Sequence, residues 1–180
     1  MYINFITPCS RPENLIKISK SINLPKENYR WIVVCDSENL PKQEFIPNNC
    51  EIYLHKNKDS ISGNSQRNFA IDKIKKGYLY FNDDDTLIHP ELWENVKNLD
   101  DDFIHFQQSH KNGTIRLLTN EVAVNHIDSH NFMVSMNIVG DIRFRLNLYN
   151  ADGYFASDCF KNSKNYKTID KVLSIYNLLR

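Results

Sequence analysis

Apolar positions along the chain fall into two kinds of run. Tyr2–Thr7 is a short apolar run that predicts a first strand, and Arg30–Asp36 is continuous and β-branched, which predicts a strand buried on both faces. Glu51–His55 predicts a third short strand. Between them, Leu15, Ile16, Ile18 and Ile22 recur at helical spacing within Glu13–Ile22, so that segment is expected to be an amphipathic helix. Pro25 and Asn28 mark a loop, and a polar, Pro-containing loop runs to Asn49. The stretch "KNKDSISGNSQRN" is polar and carries Gly63, so it reads as a loop entering a second helix. Asn64 or Ser65 is the expected N-cap. Phe69, Ala70, Ile71 and Ile74 would face inward, and the helix would run to about Lys76 with Gly77 at C′. Tyr78–Asn82 predicts strand four. Pro90 opens a third helix over "ELWENVKNL".

The order to this point is β-α-β-β-α-β-α with apolar strands, which predicts an α/β fold. Its central sheet would be mixed, mainly parallel and covered on both faces, a three-layer α/β/α sandwich. After Leu99 the texture changes. "DFIHFQQ", "KNG" and "TIRLLTN" predict a hairpin, and "NFMVSM" a strand. "DGYFASDCF" predicts a helix, and "KVLSIYNLL" a last strand or helix. Without repeats or a linker, residues 1–180 read as one domain, with a parallel half to residue 99 and a mixed half from residue 100.

Composition narrows the possibilities. The 180 residues suffice for one real core. Lys+Arg and Asp+Glu are both 22, which argues against a general nucleic-acid binder. "MYINFITPCS" lacks the basic and long apolar regions of a signal peptide, and no stretch approaches a membrane span. Cys9, Cys35, Cys50 and Cys159 have no C-x-x-C spacing, so reduced, mostly buried thiols are expected. The chain is expected in the cytoplasm, of a bacterium or of a host cell if viral. Abundant Asn, Lys and Ile with only 5 Gly suggest an AT-rich genome.

Candidate chemistry gathers at strand ends. Thr7 to Arg11 follow strand one, Asp36 ends strand two, and Asp83, Asp84 and Asp85 end strand four. In open parallel sheets ligands bind there. Adjacent carboxylates repel by about 4 kcal/mol near a protein surface. Either solvent relieves this triplet, or a hard cation such as Mg²⁺ or Mn²⁺ does. Asp100–Asp102 precedes a strand and reads as a solvated turn. Gln66, Arg67 and Asn68 lie in a first helical turn, where Arg67 would meet a phosphate or the triplet, or stay at the surface. Asp152 is either an N-cap or a general base aimed into a cleft. His126 and His130 stand four apart, a weak pattern for zinc without a third ligand.

The sequence also resembles the inverting GT-A glycosyltransferases. "FITPCSRPENL" and "WIVVCDSE" are similar to the first two strands of glycosyltransferase family 2. "GNSQRNFAIDKIKKGYLYFNDDDTLIHPELWE" is similar to both that family and the family 43 glucuronyltransferases. "DSHNFMV" and "YNADGYF" are weaker matches. The resemblance implies a GT-A (Rossmann-like) fold with a donor half, 1–99, and an acceptor half, 100–180. It implies a hexosyl-type transfer from a nucleotide-diphosphate sugar, a UDP-sugar first of all, to a glycan, lipid or protein acceptor, with Mn²⁺ or Mg²⁺. Thr7, Pro8 and Arg11 would lie along the nucleotide and Asp36 at the uracil or ribose. Gln66 and Arg67 would approach the diphosphate, and Asp83 and Asp84 the ribose and sugar. Asp85, with Asp83, would bind the metal, and Asp152 would be the base. The family's later metal-ligating His has no counterpart after His130. A nucleotidyltransferase would need a Gly-rich loop after strand one, which "TPCSRPENL" lacks. A non-catalytic nucleotide-sugar or carbohydrate binding domain is the alternative.

Overall fold

The computed structural model describes residues 1–38, 40–56 and 60–180. Residues 57–59 of the expected polar loop lie outside the described residues. Among the described residues, eight strands form one sheet: β1 (Ile3–Cys9), β2 (Tyr29–Asp36), β3 (Glu51–His55), β4 (Tyr78–Phe81), β5 (Phe103–Ser109), β6 (Ile115–Leu117), β7 (Phe132–Ser135) and β8 (Tyr166–Ile175). Five α-helices accompany them: α1 (Leu15–Ser21), α2 (Asn64–Ile71), α3 (Leu92–Val96), α4 (Met136–Val139) and α5 (Ala151–Asn162). The order across the sheet is β3-β2-β1-β4-β7-β5-β6, with β8 along the other edge of β5. The first four strands are parallel, β7 runs antiparallel to β4 and β5, and β8 is parallel to β5. The sheet is therefore mixed, with a parallel half and a hairpin-containing half.

Period-2 alternation explains the continuous apolar strands. In β2, Ile32 and Val34 pack on one face with Ala70, Ile71, Phe81 and Phe155. Trp31, Val33 and Cys35 pack on the other with Leu15, Ile18, Leu92 and Val96. Both faces are covered, so neither register position needs a polar residue.

Both ends of α2 differ from expectation. Helix α2 stops at Ile71 and continues only as turns, with Lys73 and Ile74 amides bonding the Ala70 and Ile71 carbonyls. Gly77 is therefore not its C′ residue; it lies beside Tyr2 at the entry to β4. The N-cap of α2 is Gly63 instead of Asn64 or Ser65. The reason is tertiary: Asn64 is already helical, its Nδ2 donates to the carbonyls of Arg145, Leu146 and Leu148, and its Oδ1 faces Arg67 Nη1 (3.5 Å), so the side chain is turned to distant partners.

The chain turns from β1 outward through β2 and β3, then returns to β4 on the other side of β1. That reversal opens a crevice beyond the carboxyl ends of β1 and β4, where parallel sheets place ligands.

Candidate active site

An open cleft of about 740 Å³ occupies this crevice. Pro8, Arg11, Asp36, Gln66, Arg67, Asp83, Asp84, Asp85 and Asp152 all line it. Thr7 does not. It is fully buried, its hydroxyl donates to the Asn82 carbonyl (2.7 Å), and it accepts the Trp31 indole N–H (3.0 Å). Thr7 thus ties β1 to β4 and β2, and the nucleotide contact expected of it is not available.

The three aspartates point to three different places. Asp84 is 2% exposed. Its Oδ2 accepts from the Ser10 hydroxyl (3.0 Å), the Arg11 amide (2.6 Å) and the Ser10 amide, and its Oδ1 from Arg11 Nη1. A buried carboxylate is stable only when so saturated. Asp84 therefore anchors the loop after β1, and its oxygens are spent there instead of on a ribose or sugar. Asp83 Oδ1 accepts from Arg67 Nη2 (2.5 Å), and its Oδ2 lies 3.2 Å from His130 Nε2. Asp85 Oδ2 lies 2.7 Å from Arg180 Nε and 3.3 Å from Arg11 Nη1.

Arg67 is held as firmly as its target. It is 5% exposed, donates from Nη1 to the Ser62 carbonyl (2.6 Å), and sits over the Phe144 ring at 5.3 Å. Its Nε finds no partner among the described residues. Gln66 donates to the Val34 carbonyl (3.1 Å), fixing α2 to β2. The helix starts tightly because Gly63 has φ +75, and a Cβ there would stand 2.6 Å from Pro8 Cβ. Gly63→Ala is expected to cost about 1–3 kcal/mol of stability, read from urea denaturation.

Asp152 sits in the first turn of α5, but Asn150 is the N-cap. Its Oδ1 accepts the Gly153 amide (2.8 Å) and its Oδ2 the Ser129 amide (3.3 Å). Burial raises its pKa to about 6, and the nearby charge of Asp128 adds to the rise. Gly153 lets the helix come close, since a Cβ there would lie 2.8 Å from Val124 Cα.

Ile127, Asp128, Ser129 and His130 of "HIDSH" line the cleft, in a way the spacing of its histidines does not suggest. His126 is exposed and pairs with Glu121, whereas His130 is 2% exposed. The two are not a zinc pair. His130 lies between Asp83 and Asp128, its Nδ1 3.4 Å from Asp128 Oδ1. Burial lowers its pKa, but the two carboxylates outweigh this and hold it at about 9. Asp83 is held well below the usual carboxylate range: Arg67 and His130 overcome the opposing effect of burial. Asp128 also pairs with Arg116 (3.2 Å). The signal for this turn was "DSHN", an Asp-Ser-x-Asn composition suited to a side-chain-capped turn: the His130 amide donates to Asp128 Oδ1 and the Asp128 amide to Asn131 Oδ1. Arg180 carried no local signal at all.

A dication on Asp83 and Asp85 does not fit these side chains. Each carboxylate already faces two cationic groups, Arg67 and His130 at Asp83, Arg11 and Arg180 at Asp85. Among the described residues, no three His, Cys, Asp or Glu side chains are grouped to hold a metal. Asp100–Asp102 stays outside the cleft, as expected, although Asp102 Oδ2 accepts the Lys164 amide and so is more than a solvated turn. All four cysteines are free thiols.

No family model and no curated protein matches the sequence. Solved structures do match. Staphylococcus aureus TarS, residues 1–349 in complex with UDP-GlcNAc, superposes with a TM-score of 0.78 at 18% identity, over 97% of this chain and 58% of that one. The mannosyltransferase PcManGT from Pyrobaculum calidifontis, in complex with GDP-Man and Mn²⁺, superposes with a TM-score of 0.68 at 13% identity, over 97% of this chain and 56% of that one. The fold is that of the GT-A glycosyltransferases. These structures carry the resemblance to that fold, and not the one to family 43. The chain spans less than two thirds of either structure. No helix among the described residues is long and apolar enough to cross a membrane.

Proposed function

We propose that the protein is an inverting glycosyltransferase that moves a hexose from a nucleoside-diphosphate sugar to an acceptor hydroxyl. One observation carries the reading: Asp152 shares a cleft with Arg11, Arg67 and the triplet at the switch point of the sheet. A base and a floor of guanidinium groups are what glycosyl transfer from a diphosphate requires. TarS in complex with UDP-GlcNAc supports a UDP-sugar as the first donor to test, and PcManGT in complex with GDP-Man makes GDP the second.

In this reading Asp152 accepts the proton of the acceptor hydroxyl. The hydroxyl oxygen bonds to the anomeric carbon as its bond to the diphosphate oxygen breaks, and the diphosphate leaves with the electron pair. A base of pKa about 6 is mostly ionised at neutral pH yet retains proton affinity. Arg11 and Arg67 face the charge that grows on the leaving group. Asp36, at the end of β2, is the proposed contact to base or ribose. Residues 1–99 would hold the donor and residues 100–180 the acceptor.

The test is a panel of UDP-, GDP- and dTDP-sugars, with thermal shift for binding and nucleotide release for turnover. A UDP-sugar is expected to raise the melting temperature and to be hydrolysed slowly, and NMR of the transfer product should show an inverted anomeric centre. Retention would sink the inverting assignment. Binding without release on glycan, lipid and peptide acceptors would mark a binding domain instead.

A further inference from the structure

The acidic triplet raised the expectation of a metal because three adjacent carboxylates need relief. The structure supplies that relief from the chain itself. Four cationic side chains surround three aspartates: Arg11 on Asp84 and Asp85, Arg67 and His130 on Asp83, and Arg180 on Asp85. Even with His130 counted as neutral, charges match three to three, so no excess negative charge is left for a dication to offset. A hard cation binding here would have to strip a guanidinium group from each carboxylate before gaining its oxygens.

Arg180 is the distinctive member. Its side chain is 55% exposed, and its one ion pair among the described residues runs through Nε to Asp85. Asp85 is itself fixed: it is 2% exposed, its Oδ1 faces the Thr86 hydroxyl (3.4 Å), and its carbonyl accepts the Leu179 amide (2.7 Å). Asp85 thus orients the guanidinium at the cleft while its two terminal nitrogens remain for a ligand. A planar fork of this kind matches two phosphate oxygens.

We propose that Arg180, aimed by Asp85 and backed by Arg11, binds the diphosphate of the donor and does so without a divalent cation. This rests on the donor-site reading above. Asp85 is then a positioning residue for Arg180, and Arg180 is a binding residue for the leaving group.

The experiment is calorimetric titration of UDP and GDP into the full chain, in EDTA and in excess Mn²⁺, for wild type, R180Q and R180K. Wild type is expected to bind one nucleotide in EDTA with an affinity within about threefold of that in Mn²⁺. R180Q should lose about tenfold or more in EDTA, the cost of a charge-assisted contact, and R180K should fall between. Circular dichroism melts of the variants verify that they are folded. Wild-type binding lost in EDTA and restored by Mn²⁺ would overturn the proposal, as would an R180Q protein that binds normally in EDTA. If folded wild type binds neither nucleotide in either buffer, the donor-site reading itself fails, a result distinct from metal dependence.

Discussion

Asp152→Asn is expected to reduce transfer by about two to four orders of magnitude, the usual contribution of a positioned general base, while leaving nucleotide affinity intact. The Asn oxygen can still accept the Gly153 amide (2.8 Å), and only the longer Ser129 contact (3.3 Å) is lost, so the first turn of α5 should keep its shape. For the proposed transfer, wild type should show kcat/KM rising with pH through about 6 and then levelling, because the ionised form of Asp152 is the proposed base. The linked effect on stability has the opposite sign. A carboxyl group whose pKa is raised on folding favours the folded state while it is protonated, and that contribution is lost as pH rises through about 6. At neutral pH Asp152→Asn removes a buried charge at the cost of the Ser129 contact, so it should melt no more than about 1 kcal/mol below wild type. A variant with full transferase activity would remove Asp152 from the mechanism.

His130→Ala is the second large effect, this time on stability. It strips Asp83 and Asp128 of the buried imidazole between them, whose Nε2 also lies 3.0 Å from the Asp83 amide, and breaking a buried pair costs about 3 kcal/mol or more. Denaturant unfolding of the variant measures it directly. The pH dependence is specific to the imidazole. Its pKa is raised from 6.5 to about 9 on folding, so its contribution is complete below about 6.5 and is lost as pH rises through about 9. Wild type should lose stability between neutral pH and pH 9 or above, and His130→Gln should lack that component of the slope. Equal slopes in the two proteins would mean that His130 is not charged in the fold.

Several parts of the molecule were legible in the sequence. Glu51–His55 is a strand with the bounds expected of it, and the parallel half followed from apolar runs and a segment of helical spacing. The placing of Asp36 and Asp83 at one crevice followed from their strand-end positions. The helix that carries Asp152 was also visible, though not that Asn150 would cap it.

The rest depended on contacts between distant segments. Three adjacent aspartates look equivalent in sequence, yet Asp84 turns to the β1 loop, Asp83 to α2 and His130, and Asp85 to Arg180. Thr7 was expected at a strand end and exposed, but β1 runs on to Cys9, and Trp31 and Asn82 bury it. Periodicity and strand-end position are local properties, set by backbone geometry and the need to bury apolar area, so the chain alone determined the architecture and the location of the cleft. Charge compensation is pairwise and long-range, because a buried carboxylate must find its cations wherever the fold delivers them. Only the tertiary structure could therefore decide that the triplet is neutralised by arginines and a histidine.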